Sequence, residues 1–315
     1  MKEIDYAKRK RRASRKDDLA LHIMALPGVI TTFLFSYWPM YGLLIAFKRY
    51  KPKYGILGSE WVGLNNFKFL FSSNDSWILV RNTVGYNIIF IVMNLVLSVA
   101  LALLLNELYS KRFAKVVQTI YIMPYFLSMS AVAIIVYSFI NSPNGLLTAL
   151  CRRMGLGEII FYQEPKYWPF ILVIVNAWKS VGYSAIVYLA TISGISKEYY
   201  EAAMLDGATK WQQMKFITLP QMRTIICVLL IMSLGGIFQG DFGLFYSVPY
   251  LATNKVLQAS GVVTVMDTYI YNAFKVLSDY GLSIAAGFFQ SVVGLVTVYA
   301  ANTIVSKIEP DNALF

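Results

Sequence analysis

Six long apolar runs govern what this chain of 315 residues can fold into. A helix that crosses a bilayer needs about 20 mostly apolar residues. The runs cover Leu19–Phe47, Thr83–Leu105, Val116–Ile140, Trp168–Ile192, Ile225–Tyr246 and Tyr280–Val305. They are continuous rather than alternating, which excludes a β-barrel. Charged residues make up only 14% of the chain and hydrophobic ones 57%, whereas soluble domains carry about 25% charged residues. The expectation is an all-α, polytopic membrane protein with six transmembrane helices. The first run follows Lys and Arg residues, as a signal peptide does, but far exceeds the apolar core of one. It reads as a retained anchor helix.

The net charge of +11 is unevenly placed. Eight basic residues lie between Met1 and Asp18, and Lys111, Arg112 and Lys115 follow the second run. Lys197, Lys210, Lys215 and Arg223 follow the fourth run, and Lys307 follows the last. The opposite loops are longer in sum and carry fewer. The positive-inside rule then puts both termini in the cytoplasm. Residues 1–18 read as a basic cytoplasmic tail that sets topology and meets membrane lipid, not nucleic acid. Residues 19–315 form one transmembrane domain, in which 193–223 is a cytoplasmic loop.

Several function classes fall away. Two cysteines and one histidine leave no Cys-rich or His-based metal site. An intramembrane enzyme needs an acid–base pair or metal ligands within its spans, and no such pair or H-E-x-x-H run is present. A stand-alone channel or secondary transporter commonly shows internal repeats, which are absent. There is no G-x-x-x-x-G-K-S/T phosphate loop, so any ATP hydrolysis belongs to another chain. The outer loops, with turn clusters at Lys51–Gly55 and Ser142–Gly145, are too small to capture a ligand by themselves.

The loop between the fourth and fifth runs reads as two short helices with a hinge. Glu198 suits the first turn of a helix over Lys197–Leu205. Gly207 sits where a left-handed C-terminal cap is wanted, and Thr209 with Gln212 makes a T-x-x-Q capping box. Pro220 marks the end of the second segment. Ala202 and Ala203 leave a small-residue face that can enter a partner's groove. The order Glu201-Ala202-Ala203, Asp206-Gly207-Ala208 and Leu219-Pro220 resembles the EAA loop of binding-protein-dependent ABC importer permeases. Met214, where Phe is common, and Thr224, where Pro often follows, depart from that pattern.

That resemblance implies a type I importer permease fold and a coupling helix that docks into a cleft of a cytoplasmic ATPase. It marks Glu201 and Gly207 as residues whose loss uncouples hydrolysis from transport. Further segments resemble the oligosaccharide-type subgroup of carbohydrate permeases. They are Trp61-Val62-Gly63-Leu64-Asn65-Asn66-Phe67, Asn176-Ala177-Trp178-Lys179 with Gly182, and Gly235–Phe238 running on to Asp241–Tyr246. Asp267-Thr268-Tyr269 and the closing Glu309-Pro310 and Leu314-Phe315 fit as well. The resemblance implies a second homologous permease, an ABC ATPase (two copies or a shared multi-system one) and an extracytoplasmic sugar-binding protein, all at a bacterial cytoplasmic membrane. ATP and Mg would bind the ATPase, with no cofactor on this chain. A non-sugar solute is the alternative cargo.

Polar groups at membrane depth mark pathways or helix contacts. In the fourth run, Asn176, Lys179 and Tyr183 share a helix face, and in the third, Gln118, Tyr121 and Tyr125 do, with Pro124 able to bend the helix. The fifth holds Gln239 and Asp241 among Gly235, Gly236, Gly240 and Gly243, a glycine density that predicts an interrupted helix. Gln290 lies in the sixth. Amides and carboxylates suit sugar hydroxyls, and Phe238, Phe242, Phe245 and Tyr246 offer aromatic faces, although membrane aromatics also serve packing. Lys179 and Asp241 fit either an ion pair or ligand contact. Asn94 and Asn302 read as helix glue, and Gly281, Gly287 and Gly294 as close helix contacts.

Overall fold

The computed structural model describes residues 21–68, 74–108, 110–142, 144–155, 157–250 and 253–308. The basic tail, the start of the first run at Leu19, Pro143 and the closing Glu309–Phe315 lie outside the described residues. Four helices are long and apolar enough to cross a membrane singly, or up to six if each of two bent pairs counts as one span.

Helix α1 (Leu21–Phe47) begins as α-helix, passes through a π-turn at Phe33–Tyr37 and ends as a 3-10 helix over Trp38–Phe47. Its side chains are exposed from Leu21 through Tyr41, so it meets the body only by its last turns. Strands β1 (Lys48–Arg49) and β2 (Glu60–Trp61) follow, antiparallel, with Lys48 opposite Trp61. The Trp61–Phe67 segment acts as a clasp. Asn66 Nδ2 donates to the carbonyls of Ala46 (2.8 Å) and Lys48 (3.0 Å), and Trp61 stacks on Phe47 at 5.8 Å.

Helix α2 (Asn74–Glu107) spans 34 residues, about 51 Å at 1.5 Å per residue, and packs along α6 (Trp168–Ser193). Between them come α3 (Lys111–Ile122), α4 (Met129–Ile140) and α5 (Leu146–Arg153). The third run is a bent helix pair. It turns by 104° between α3, extended by a 3-10 turn at Met123–Phe126, and α4. Pro124 permits the turn, but Ser128 completes it, because its hydroxyl accepts the Ala131 N–H and starts a new helix.

After α6 come α7 (Lys197–Leu205), α8 (Lys210–Gln221) and α9 (Arg223–Gly235), with a 55° bend between the last two. The fifth run is interrupted, as its glycines predict. Helix α9 stops at Gly235, and helical structure resumes only as a π-turn over Gly243–Ser247. Short helices α10 (Lys255–Ser260) and α11 (Met266–Lys275) precede α12 (Tyr280–Ile308), whose first turn is capped by Asp279 accepting the Leu282 N–H.

Two apolar clusters hold the bundle. One gathers Tyr86, Phe90, Val132, Trp168, Leu244 and Phe245, and the other centres on Ala102, Tyr188, Ile192 and Met222. Glycines set how closely the helices approach. A Cβ on Gly182 would lie 1.9 Å from the Tyr121 carbonyl oxygen, and one on Gly294 would lie 2.6 Å from that of Gly235. Gly281 is equally confined, by Asn66 and the Lys48 carbonyl. Gly287, expected as a close contact, faces open space, because its side of α12 meets no neighbour within 4 Å. Gly182→Ala should therefore cost about 1–3 kcal/mol through overpacking, whereas Gly287→Ala should be neutral. Thermal retention of the monodisperse detergent-solubilised peak checks the contrast; equal behaviour of the two variants would refute it.

Candidate functional site: a polar cavity and a helical loop

A cavity of about 410 Å³ opens between α2, α6 and α9. Helix α2 gives it Asn87 and Asn94, and α6 gives it Asn176, Ser180 and Ser184. Helix α9 and the break beyond it add Ser233, Gln239 and Asp241. Phe90, Ile91, Leu95 and Tyr188 supply apolar wall between these groups. Asn94 also does what helix glue does, since its amide donates to Ser180 Oγ at 2.8 Å across α2 and α6. The lining thus offers amides and hydroxyls, which both give and take hydrogen bonds, and one carboxylate, which takes them.

The break in the fifth run forms one end of this cavity. Its backbone is irregular, and at membrane depth freed peptide groups need partners. Asn87 Nδ2 donates to the carbonyls of Ile237 (3.0 Å) and Gln239 (2.8 Å). Gln290 Nε2, from the middle of α12, donates to the Phe238 carbonyl at 2.7 Å and to Asp267 Oδ2 at 2.9 Å. That same carboxylate oxygen accepts the Gly240 N–H. Asp241 Oδ1 accepts the Leu244 N–H at 3.0 Å and starts the next turn.

Of the pathway candidates singled out in the sequence, Asn176, Gln239 and Asp241 line the cavity, beside Asn94. The others go elsewhere. Lys179 turns to the break in the third run, where its ammonium donates to the carbonyls of Pro124 (3.4 Å), Tyr125 (3.0 Å) and Leu127 (2.5 Å). It is not paired with Asp241. Tyr183 stacks on Tyr125 at 4.4 Å beside it. Tyr121 lines a separate apolar groove between α2, α3 and α6, and Gln118 lies on α3 away from the polar cavity. Phe242 and Tyr246 stack on each other at 4.8 Å and pack with Tyr271 beyond the break. Gln290 is buried, and its hydrogen bonds go to protein.

Sequence reasoning missed Asn87, Ser180, Ser184 and Ser233. A signal was available, because Asn87 and Asn94 are seven residues apart in an apolar helix, and Asn176, Ser180 and Ser184 recur every fourth residue. Among the described residues no group of three His, Cys, Asp or Glu could hold a metal ion.

The loop over 193–223 forms as its local chemistry dictates. Ser196 caps α7 by accepting the Glu198 N–H. Gly207 has φ +79° and ends α7 in a Schellman arrangement, with the Ala208 N–H donating to the Ala203 carbonyl (2.9 Å) and the Gly207 N–H to that of Met204 (3.1 Å). The Thr209–Gln212 capping box is formed. Tyr200 and Thr218 hydroxyls meet at 3.0 Å and join α7 to α8, and Lys210 pairs with Glu107 of α2 at 3.6 Å. Glu201, Ala202, Asp206 and Gly207 are exposed, Ala203 half-buried, and Leu205 stands 90% exposed beside them. Leu219 and Pro220 lie in the last turn of α8.

Comparison with known proteins supports one family. The model of the binding-protein-dependent transport system inner membrane component matches residues 94–309. Protein LplB of Bacillus subtilis (strain 168) is 34% identical over 95% of this chain and 92% of its own length. The polygalacturonan/rhamnogalacturonan transport system permease protein YteP of the same organism is 36% identical over 91% and 88%. A crystal structure of a bacterial alginate ABC transporter, in complex with alginate pentasaccharide-bound periplasmic protein, contains a chain that superposes with a TM-score of 0.83. The identity is 34%, covering 94% of this chain and 97% of that one. Such permeases are transport subunits, and the ATPase is a separate subunit. This chain belongs to the family of binding-protein-dependent transport system inner membrane components, the integral membrane permeases of ABC importers.

Proposed function

We propose that the chain is one half of the permease of a bacterial oligosaccharide importer in the cytoplasmic membrane, with six spans and both termini in the cytoplasm. The observation that carries this reading is the cavity between α2, α6 and α9, with its amides and hydroxyls from three helices and the Asp241 carboxylate. A saccharide presents hydroxyls that donate and accept at once, and such a lining matches them without a fixed charge pattern. The named saccharides of YteP and of the alginate transporter support the same cargo class. A second, homologous permease supplies the facing half of the pathway. An extracytoplasmic sugar-binding protein delivers the cargo.

The motor is a cytoplasmic ABC ATPase, present as two copies or shared among several systems, which binds ATP and Mg. Helix α7 is the part of this chain that docks on it. Its exposed Glu201, Ala202, Asp206 and Gly207, with Leu205, suit a helix laid into a groove. Leu219 and Pro220 shape the exit of the loop toward α9. When the ATPases close, the pull on α7 passes through the Tyr200–Thr218 contact to α8 and along α9 to the cavity.

Two outcomes test the reading. Glu201→Ala and Gly207→Val should each lower uptake about tenfold or more, the effect of losing one docking hot spot, while the protein stays in the membrane. Uptake at the parent rate in both variants would remove the coupling role. Asp241→Ala should lower uptake of the oligosaccharide more than it lowers co-purification of the ATPase. An unchanged transport rate would return Asp241 to capping Leu244 alone.

A further inference from the structure

The break between α9 and the Gly243–Ser247 turn exposes three peptide groups in a row, and three side chains from three different elements meet four of their donors and acceptors. Asn87 of α2 takes the carbonyls of Ile237 and Gln239. Gln290 of α12 takes the carbonyl of Phe238. Asp267 of α11 takes the N–H of Gly240 and holds the Gln290 amide through the same oxygen. Gly240 has no room for a side chain, since a Cβ would lie 2.7 Å from Val265 Cγ2 and 3.2 Å from Asp267 Oδ2. The two residues beside these anchored groups, Gln239 and Asp241, are exposed and line the cavity.

We propose that Asn87, Asp267 and Gln290 form a clamp that sets the orientation of Gln239 and Asp241 toward the cargo, with Asp267 as its central positioning residue. This rests on the permease reading of the cavity. The physical ground is geometric. An irregular strand of backbone has no ladder of its own to fix its torsions, so the side chains that satisfy its peptide groups also choose its conformation. Asn87 and Gln290 are both donors, and they take successive carbonyls, Asn87 those of Ile237 and Gln239 and Gln290 that of Phe238. Only an acceptor can take the Gly240 N–H between them, and Asp267 supplies it. Asparagine at position 267 could place its single oxygen where Oδ2 stands and keep both contacts, whereas leucine could keep neither.

The test uses the full chain in membrane vesicles with Cys151→Ser and Cys227→Ala, and reads the rate at which a water-soluble thiol reagent labels a reporter cysteine. The reporters are Gln239→Cys, inside the clamped segment, and Ser233→Cys, on α9 before it. Adding Asp267→Leu, or Asn87→Leu, should slow labelling at position 239 by about tenfold or more, as expected for loss of a charge-assisted or buried hydrogen bond. Labelling at 233 should be unchanged, and Asp267→Asn should keep the parent rate at both. In the chain with Gln239 intact, uptake should fall with Asp267→Leu and be retained with Asp267→Asn. Unchanged labelling at 239 in the leucine variants, or an equal loss at 233 and 239, would overturn the clamp. The labelling contrast needs no cargo, so it can fail while saccharide uptake stands, or hold where saccharide uptake fails.

Discussion

Peptide groups in a bilayer have no water to turn to, and an unpaired one there costs several kcal/mol. The architecture depends on how this chain meets that requirement at its two interruptions. In the third run the carbonyls of Pro124, Tyr125 and Leu127 are gathered by the ammonium of Lys179. In the fifth, the groups from Ile237 to Gly240 are met by Asn87, Gln290 and Asp267. Both sets of partners sit on uninterrupted or separately capped helices. The long helices α2, α6 and α12 therefore serve as scaffolds on which irregular backbone can exist at all.

This explains why polar residues cluster on α2. Asn82 donates to the carbonyls of Gly261 (2.7 Å) and Thr264 (3.1 Å), Thr83 accepts the Met266 N–H (2.9 Å), and Tyr86 donates to the Val262 carbonyl (3.0 Å). One turn further on, Asn87 reaches the break, and Asn94 reaches Ser180. A single helix face thus fixes the segment between α10 and α11, the end of the cavity and its wall. Membrane helices lack a hydrophobic drive to associate, so small residues and interhelical hydrogen bonds decide their contacts. Gly182 and Gly294 provide the close approach, and α2 provides the bonds.

What the sequence made legible follows the range of each interaction. The loop around Gly207 is readable because its caps are local: Thr209 with Gln212, and Gly207 with Met204 and Ala203, lie within one turn of each other. The interruption after Gly235 is readable because the glycines themselves destabilise the helix. The partners of that interruption are not, since Asn87 lies 150 residues from Ile237 and nothing local relates them. Lys179 was placed on the face of Asn176, from which it is offset by about 60° at 100° per residue, and that offset sends it to a different neighbour. The sequence leaves Phe242 and Tyr246 open to either ligand contact or packing, and the Tyr271 ring that packs against both is placed by α11, a contact nothing local announces. The apolar pattern carries spans; it does not carry which element lies across from which.

The two halves of the fifth run are held by forces of different character. Beyond Gly236 the chain is fixed by directional hydrogen bonds to three elements, each with a short list of acceptable geometries. Before it, α9 packs on α12, and its Ile225 and Leu229 lie against the apolar cluster of Ala102, Tyr188, Ile192 and Met222. Apolar contact is non-directional, and such surfaces can slide where hydrogen-bonded ones must break. Under the proposed coupling, a displacement entering at α8 would pass along α9 to the junction at Gly235 and Gly236. A Cβ on Gly236 would have its nearest neighbour at 3.6 Å, whereas one on Gly235 would lie 2.7 Å from Val298 Cγ2. A helix that slides against a fixed end bends at their junction, and here the junction lines the cavity through Gly236 and Gln239. The junction of the two halves and the cavity lining thus share the same few residues.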